Sequence, residues 1–242
     1  MNYQPLELHI KPLGDSALIV QLGEGISLTL NKKVKSLSAI ISRTPFGGII
    51  ELVPAYNNIT VYYNPFVVHN SYPGSTGAFD KVANHIKKLA LQITEEENTE
   101  KRIVEIPVCY GGEYGPDLAH VAELHRMSPE DVINIHTNSE CIVYLLGFAP
   151  GFPFMGGMDE RIATPRRETP RLSIPRGSVG IAGKQTGIYS LETPGGWQII
   201  GRTPFDLFLP TESPPTLLQA GDQIHFVSIT HEEYVAYEER KK

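Results

Sequence analysis

The sequence predicts an α+β protein in which a small layered domain is followed by a closed or nearly closed β structure. Three observations lead to this fold class. Strand-like and helix-like periodicities alternate up to about residue 95, a polar run follows, and the rest of the chain carries short β segments between closely spaced turn signals. With 242 residues, of which 41% are hydrophobic, the chain is long enough to bury a core in each part.

The first part of the chain alternates strands and helices. A strand is predicted at 17–22, and apolar residues at helical spacing predict a helix within 27–41. Two further strands, 49–53 and 59–63, flank a turn, and a second amphipathic helix follows at 79–93. We therefore expect helices packed on one face of a sheet.

A run of polar residues separates the two parts. The segment 94–100 reads Thr-Glu-Glu-Glu-Asn-Thr-Glu and offers nothing for burial. Domain boundaries fall in such segments because few contacts cross them. We expect an amino-terminal domain of residues 1–94, a linker at 95–101 and a carboxy-terminal domain of residues 102–242.

The second part begins with a strand from residue 103 and two short helices. The first helix is predicted to start at an Asp117 cap. The second opens with Ser128, a cap, and Pro129, which suits a position where no donor is needed; acidic residues follow in its first turn. Six short β segments come next, and the turns between them favour a closed or nearly closed β structure. They are predicted at 142–146, 179–182, 187–191, 198–200, 205–208 and 224–229.

Composition and charge exclude several classes of function. The formal net charge is -6, so the chain repels a phosphate backbone and nucleic acid is not an expected partner. No segment approaches the roughly 20 apolar residues of a membrane span, and the amino terminus lacks the features of a signal peptide. The two cysteines, Cys109 and Cys141, have no metal-ligand spacing, which favours reduced thiols. We expect a cytoplasmic protein without a metal.

The segment 147–157 combines three aromatic residues with several glycines and prolines. A core strand rarely carries that much glycine and proline, so the segment is interpreted as a loop. Its aromatic side chains form either a rigid apolar rim for a ligand or partner protein, or the packed seal of one barrel end. We take Phe148, Phe152 and Phe154 as candidate partner-binding residues.

An arginine-rich stretch stands out in this acidic chain. A Thr-Pro-Arg sequence occurs twice, ending at Arg166 and Arg171, and in each case proline stiffens the backbone before a planar, bidentate donor. Such donors suit carboxylate or phosphate ligands; the alternative is that they pair with acids of the chain itself. We take Arg166 and Arg171 as candidate substrate-binding residues. The stretch also holds Arg161, Arg167, Arg176 and Lys184, and its own acids are Asp159, Glu160 and Glu168.

A glycine-rich segment at 177–187 matches neither of two familiar motifs. Ser178 and Gln185 stand where a P-loop needs its first glycine and its final serine or threonine. Arg176 stands where a nucleophile elbow needs glycine two places before the serine. The sequence thus supports no Walker nucleotide site, and the glycines are interpreted as allowing tight turns or close approach of the backbone to a ligand.

Four further side chains are candidates for a site. The only tryptophan, Trp197, follows a Pro-Gly-Gly turn that presents the indole, and a core anchor is the alternative. His136 lies near the end of the helix that Ser128 caps, where the helix dipole favours the protonated ring. It is interpreted as a general acid/base, an anion contact or a structural histidine. Gln185 and Tyr189 are additional candidate polar contacts.

Several ordered motifs resemble the family that unites the B-type subunit of 5-oxoprolinase with allophanate hydrolase subunit 1. This family, also described as carboxyltransferase subdomains C and D, includes the KipI-type inhibitors of sporulation kinase A. The resemblance spans nearly the whole chain, and Arg176 departs from it because members often carry a small residue there. The motifs that carry it lie at 106–118, 147–157, 175–183, 193–197 and 201–204.

The resemblance implies a fold and a set of partners. It implies a small amino-terminal α/β domain, which we expect to be ferredoxin-like, followed by a cyclophilin-like β-barrel. It also implies a separate partner chain of the allophanate-hydrolase-subunit-2 type, with a lactam-utilisation-type subunit as a further candidate partner. Related domains act with biotin, but this chain has no Met-Lys-Met acceptor sequence, so any biotin would be carried by another chain.

Two functions follow as expectations from this resemblance. The first is a non-autonomous subunit of an ATP-dependent 5-oxoprolinase, which opens 5-oxoproline to glutamate, with ATP as a cofactor of the complex. Arg166 or Arg171 would then hold the substrate carboxylate, with Trp197 as a further substrate contact. His136, Gln185 and Tyr189 are the candidate catalytic residues in this hypothesis. The alternative is a regulatory module whose aromatic loop docks on a sensor histidine kinase.

Overall fold

The computed structural model describes residues 8–25, 27–44, 46–74, 76–93 and 102–241. The chain divides into two compact units, Met1–Thr99 and Glu100–Lys242. The predicted linker at 95–101 lies outside the described residues, so its bounds stay a prediction.

The first unit is an antiparallel sheet of four strands with helices packed against it. Alternating apolar residues of the central strands, such as Leu18 and Val61, form its core with Leu37 and Ile86 from two helices. The strand order in the sheet is β1-β2-β4-β3. Its elements are β1 (His9–Pro12), β2 (Ala17–Gln21), α1 (Leu28–Arg43), β3 (Ile49–Pro54), β4 (Asn58–Tyr63), α2 (Pro65–Ser71) and α3 (Ala78–Ala90).

The three strands and two helices predicted for this unit are confirmed, and two short elements were missed. Strand β1 is largely exposed and so lacks an apolar alternation, while α2 has only seven residues. The element order over the described residues is β-β-α-β-β-α-α, whereas a ferredoxin-like domain follows β-α-β-β-α-β. Here the edge position beside β2 is held by β1, which precedes it as a hairpin partner.

The second unit is a closed barrel of seven strands, in the order β10-β7-β6-β13-β5-β12-β9. Strands β5 and β13 pair in parallel, and the other neighbours pair antiparallel. The elements of the unit are β5 (Ile103–Tyr110), α4 (Leu118–His125), α5 (Pro129–Thr137), β6 (Cys141–Leu146), β7 (Pro153–Gly156), β8 (Arg171–Ile174), β9 (Ser178–Ala182), β10 (Gln185–Ile188), β11 (Thr193–Gly195), β12 (Gln198–Arg202), β13 (Gln223–Ile229) and α6 (His231–Glu239).

The two largest apolar clusters among the described residues of this unit stabilise it, and a smaller one joins Cys109, Tyr114 and Tyr234. Inward-facing residues of the barrel strands, such as Val143 and Ile181, pack with Val121 of α4 and Val132 of α5. A second cluster is aromatic and includes Phe152, Tyr189 and Trp197; it packs against Ile174 of β8. Strands β8 and β11 form a two-stranded sheet of their own.

The structure corrects three strand predictions for this unit. The strand predicted at 187–191 is β10, which begins at Gln185 and ends at Ile188. The segment 147–157 is not wholly a loop, because β7 lies inside it and pairs with β6 and β10; proline is tolerated there because Pro153 is the first residue of the strand. The predicted strand at 205–208 is not formed, and only an isolated bridge joins Phe208 to Thr216. None of the helices in the described ranges is long and apolar enough to cross a membrane.

Candidate functional site

Three segments meet at one end of the barrel. Strand register aligns Arg202 of β12 with Cys109 of β5 on one side and Ser178 of β9 on the other. The turn after β5 approaches β12 so closely that a Cβ at Gly115 would lie 2.0 Å from the carbonyl oxygen of Ile200. Glycine is therefore required at this position because any side chain would collide with backbone.

A cavity of about 270 Å³ opens at this end of the barrel. The turn 175–177 and the segment 202–206 form two of its walls. The turn lies in the motif 175–183, and the segment begins in the motif 201–204. Glu192 and two residues of α6, Tyr234 and Glu238, complete the lining. We call this space the Arg202 cavity.

Arg202 is held against aromatic rings instead of a carboxylate. Its guanidinium carbon lies 5.3 Å from the centroid of the Tyr114 ring, a cation–π geometry. Burial raises the pKa of the Tyr234 hydroxyl, and the charge of Arg202 and a hydrogen bond with it oppose that rise. The Nε atom of Arg202 is buried without a hydrogen-bond partner, and over the described ranges no carboxylate lies within ion-pair distance of the guanidinium. Its charge is thus not neutralised by that part of the chain.

The other charged side chains at the cavity already have a polar partner within the described part of the chain. Arg176 Nη1 lies 2.6 Å from Asp206 Oδ1, and Lys241 Nζ lies 2.9 Å from Asp206 Oδ2. Lys241 also contacts Glu238 at 3.2 Å. Glu192 accepts a hydrogen bond from the Ser173 hydroxyl at 2.8 Å. Of the two arginines in the lining, only Arg202 is available to a ligand anion.

A second cavity, of about 450 Å³, lies beside Tyr110 between α4 and α5. Glycines and apolar side chains such as Leu118 and Ile133 form most of its lining. Its charged lining residue is Glu130, so it offers an anion no counterion. The Arg202 cavity is the stronger candidate for binding a small acid.

A second cluster of arginines surrounds Asp117. Arg171 donates to both carboxylate oxygens, at 2.7 and 2.8 Å, and Arg167 donates to Oδ1 at 2.9 Å. The backbone N–H of Ile199 donates to Oδ2 at 2.7 Å. Burial raises the pKa of Asp117, but these hydrogen bonds and positive charges outweigh it, so the pKa is lowered. The predicted Asp117 cap is corrected here, because the side chain makes no cap hydrogen bond to α4.

The arginines expected to hold the substrate carboxylate do not line the Arg202 cavity. Arg171 is engaged by Asp117, which realises the alternative that the stretch pairs with acids of the chain itself. Arg161 and Lys184 also pair internally, with Asp159 and Glu160, each at 2.7 Å. Arg166 is exposed and makes no ion pair with any residue that the structure describes.

His136 is enclosed in the barrel core with no exposed surface. The Thr186 hydroxyl donates to the carbonyl of Gly180 at 3.0 Å, so its oxygen accepts from Nε2–H of His136 at 2.9 Å. Nδ1 then accepts from the Tyr110 hydroxyl at 2.7 Å. Burial lowers the pKa of His136 to about 3, so the helix dipole does not protonate it as expected. The geometry favours the structural alternative over the catalytic one.

The remaining candidate residues lie outside the Arg202 cavity. Trp197 and Tyr189 are buried in the aromatic cluster. The tryptophan is thus a core residue, as the alternative interpretation of the sequence had it. The backbone of Tyr189 still shapes the cavity, because its carbonyl accepts from Gly177 N–H at 2.6 Å. Gln185 is half-buried at the start of β10, and its amide nitrogen has no partner within the described part of the chain.

The three phenylalanines of the aromatic loop are placed differently. Phe152 is 1% exposed and packs edge-on against Tyr189 and Trp197, and Phe154 is half-buried. Phe148 is 67% exposed and has a φ of 66°, an uncommon conformation for a bulky residue. Of the three, it is the ring best placed to contact a partner.

Sequence reasoning missed Arg202 and its two tyrosines. The motif at 201–204 contributed to the family resemblance, but nothing in it separates Arg202 from a structural arginine. Tyr234 lies on α6, which was not predicted. No group of three or more His, Cys, Asp or Glu side chains in the described ranges is placed to hold a metal ion.

Comparison with known proteins gives a consistent family. Residues 8–218 match the family described as carboxyltransferase domain, subdomain C and D. The chain is 53% identical to the 5-oxoprolinase B-subunit of Bacillus subtilis, over 95% of this chain and 96% of that protein. It is 40% identical to the 5-oxoprolinase B-subunit of Escherichia coli O157:H7, over 89% of this chain and 93% of that protein. A solved structure of a conserved uncharacterized protein from Pyrococcus horikoshii is 46% identical, with a TM-score of 0.55, over 93% of this chain and 100% of that one.

Proposed function

The chain belongs to the carboxyltransferase subdomain C and D family, and from that premise we propose that it is one subunit of a heteromeric ATP-dependent 5-oxoprolinase. In the proposed reaction the ring amide C–N bond of 5-oxoproline breaks; water supplies a hydroxyl to the carbonyl carbon and a hydrogen to the nitrogen, which gives glutamate. The observation that carries the proposal is the identity to two bacterial 5-oxoprolinase B-subunits over nearly the full length of both partners in each comparison.

The chain acts in this proposal only together with other subunits. Its glycine-rich segment lacks the residues of a P-loop, so the proposal does not rest on nucleotide binding by this chain. We infer a separate partner of the allophanate-hydrolase-subunit-2 type, with a lactam-utilisation-type subunit as a further component. The exposed ring of Phe148 is the side chain that we assign to partner docking, because exposed aromatic anchors often dominate interface energies.

Reconstitution tests this function directly. The chain and its partner subunits are combined, and 5-oxoproline-dependent ATP hydrolysis and glutamate formation are measured together. We expect turnover to be lost when this chain is omitted and restored when it is added back. Turnover that is unchanged without the chain would remove the proposal.

A regulatory module is the second candidate function. The observation that favours it is the same exposed ring, since a docking surface suits a sensor histidine kinase as well as an enzyme subunit. Autophosphorylation of candidate kinases is measured with increasing amounts of the chain. An unchanged rate at saturating protein would eliminate this role.

A further inference from the structure

The Arg202 cavity presents one cation that the described part of the chain does not neutralise. Arg202 rests on the Tyr114 ring at 5.3 Å, and its Nε is buried without a partner. An arginine that is partly removed from water without a counterion is unfavourable unless a ligand or partner supplies the missing charge. By contrast, Arg176 in the same cavity is paired with Asp206 at 2.6 Å.

The rest of the cavity can contact the nitrogen of a small amino acid or lactam acid whose carboxylate binds Arg202. Glu192 and Glu238 line it; Ser173 and Lys241 contact one oxygen of each carboxylate, Oε1, so the second oxygen can accept from an N–H group. The cavity walls are held by backbone contacts, since Thr203 N–H donates to the Gly177 carbonyl at 2.9 Å. A volume of about 270 Å³ is near the lower end of the range for small-molecule sites.

We propose that the Arg202 cavity binds the carboxylate of a small lactam or amino acid, with Arg202 as the carboxylate contact and Glu192 or Glu238 as the N–H acceptor. This inference rests on the proposed function, because it assigns the 5-oxoproline or glutamate of that reaction to this cavity. It replaces Arg166 and Arg171 as the substrate-binding arginines. Arg202 is a binding residue here and takes no part in bond breaking.

The test compares three variants in the reconstituted complex. Arg202→Met removes the charge while keeping the length of the side chain, and Arg202→Lys keeps the charge without the bidentate fork. Arg161→Met is the matched control, because Arg161 is an exposed arginine of the same unit that pairs with Asp159 away from the cavity. The KM for 5-oxoproline and kcat are measured for each, together with subunit assembly and thermal unfolding.

We expect Arg202→Met to raise the KM by at least about tenfold, the loss typical of a charge-assisted hydrogen bond. Arg202→Lys should give an intermediate KM, and Arg161→Met should match the wild type. Inhibition by 2-pyrrolidinone, a lactam without a carboxylate, should be equally weak with wild-type and Arg202→Met complexes. If the Arg202→Met variant fails to assemble, the Arg202→Lys variant carries the test.

The outcomes separate the two proposals. Turnover that requires the chain but shows a wild-type KM in an assembled Arg202 variant overturns the cavity assignment alone. Turnover that does not require the chain overturns the proposed function, and the cavity assignment falls with it. A raised KM in the Arg202 variants, with an unchanged Arg161→Met control, supports both.

Discussion

Asp117 accepts hydrogen bonds from two arginine side chains and from one backbone N–H group. Its carboxylate accepts from Arg167, Arg171 and the backbone of Ile199, and it is 4% exposed. Because Arg171 belongs to β8 and Ile199 to β12, the carboxylate joins the small two-stranded sheet to the barrel. The ion pair is thus a structural connection between elements.

Removing this carboxylate should destabilise the second unit. We expect Asp117→Asn to lower the free energy of unfolding by about 2 to 3 kcal/mol, because two partly buried guanidiniums lose their counterion. The control is Asp159→Asn, which breaks an exposed pair with Arg161 and should cost less than about 1 kcal/mol. Urea unfolding of the three proteins measures both values. Equal losses in the two variants would contradict the role given to Asp117.

The same carboxylate should shape the acid limit of stability. Its folded pKa is lowered, so the unfolded state binds the proton more readily. The stabilisation it contributes is fully present above the ordinary aspartate pKa of about 3.9 and is lost as the pH falls through the lowered folded value. The Asp117→Asn variant should therefore show a shallower loss of stability below about pH 4 than the wild type.

His136 should make the stability of the fold depend on pH over a higher range than Asp117 does. The pKa of the folded protein's His136 is about 3, whereas an unfolded histidine titrates near 6.5. The contribution of His136 to the free energy of unfolding is therefore fully present above about pH 6.5. It is lost as the pH drops toward 3, by at most about 1.4 kcal/mol per pH unit. His136→Gln keeps an acceptor for Tyr110 and a donor for Thr186, so it should fold and flatten this slope. Unfolding experiments measure the free energy of unfolding of both proteins between pH 6.5 and 4. If it falls equally steeply in the wild type and in His136→Gln, the ring does not stay neutral.

Residue types were easier to predict from the sequence than their partners. The arginine stretch was recognised, but its pairing with Asp117 joins residues at least 50 positions apart, which no local pattern encodes. His136 was expected to be protonated from its place on a helix; the barrel around it decides otherwise. Nothing in the sequence distinguishes Arg202 from the other arginines, and its contact with Tyr114 arises because the turn after β5 lies against β12.

At the scale of single elements, α5 shows how local sequence fixes a boundary. Ser128 Oγ accepts from Asp131 N–H at 3.1 Å, and Asp131 Oδ2 accepts from Ser128 N–H at 3.0 Å. This reciprocal capping box, with Pro129 following, was predictable because every contact lies within four residues. Helix α5 was therefore found from a local signal that the structure contains, whereas the Asp117 cap predicted for α4 is not formed.

Removing the Ser128 hydroxyl should cause a small loss of stability. We expect Ser128→Ala to lower the free energy of unfolding by about 1 kcal/mol, since a backbone donor loses its acceptor. Ser128→Thr keeps a hydroxyl and should stay within about 0.5 kcal/mol of the wild type. Chemical denaturation followed by circular dichroism measures the difference. A Ser128→Ala protein as stable as Ser128→Thr would show that the cap contributes little.

Elements without a local signal were missed. Strand β7 was hidden by the glycine and proline around it, although Pro153 occupies a strand's first position, where proline is tolerated. Helix α6 buries only Tyr234 along its length and therefore lacks apolar periodicity, even though a capping box opens it at Thr230. Its position is set by contact with Tyr114 of the barrel end, 4.4 Å between ring centroids.

At the scale of the whole molecule, the proposal that Phe148 docks on a partner subunit can be tested by substitution. Its ring is largely exposed and touches Phe152 edge-on at 5.5 Å. We expect Phe148→Ala to weaken binding to the partner subunit by at least about tenfold while the melting temperature changes little. Phe66→Ala, which removes an 80% exposed ring from the first unit, is the matched control. Calorimetric titration would contradict the assignment if both variants bound like the wild type.

The parallel pairing of β5 with β13 has a consequence for synthesis on the ribosome. Ile103 pairs with Gln223 and Cys109 with Ile229, so neighbours in the finished barrel are separated by most of the unit's sequence. In a nascent chain, β5 cannot pair fully with β13 until residue 229 has left the exit tunnel, so its apolar side chains stay exposed until then. Such distant pairings are slow to form, and the interval exposes strand edges to other chains. The seam between the first and last strands is thus where chaperones would be needed most.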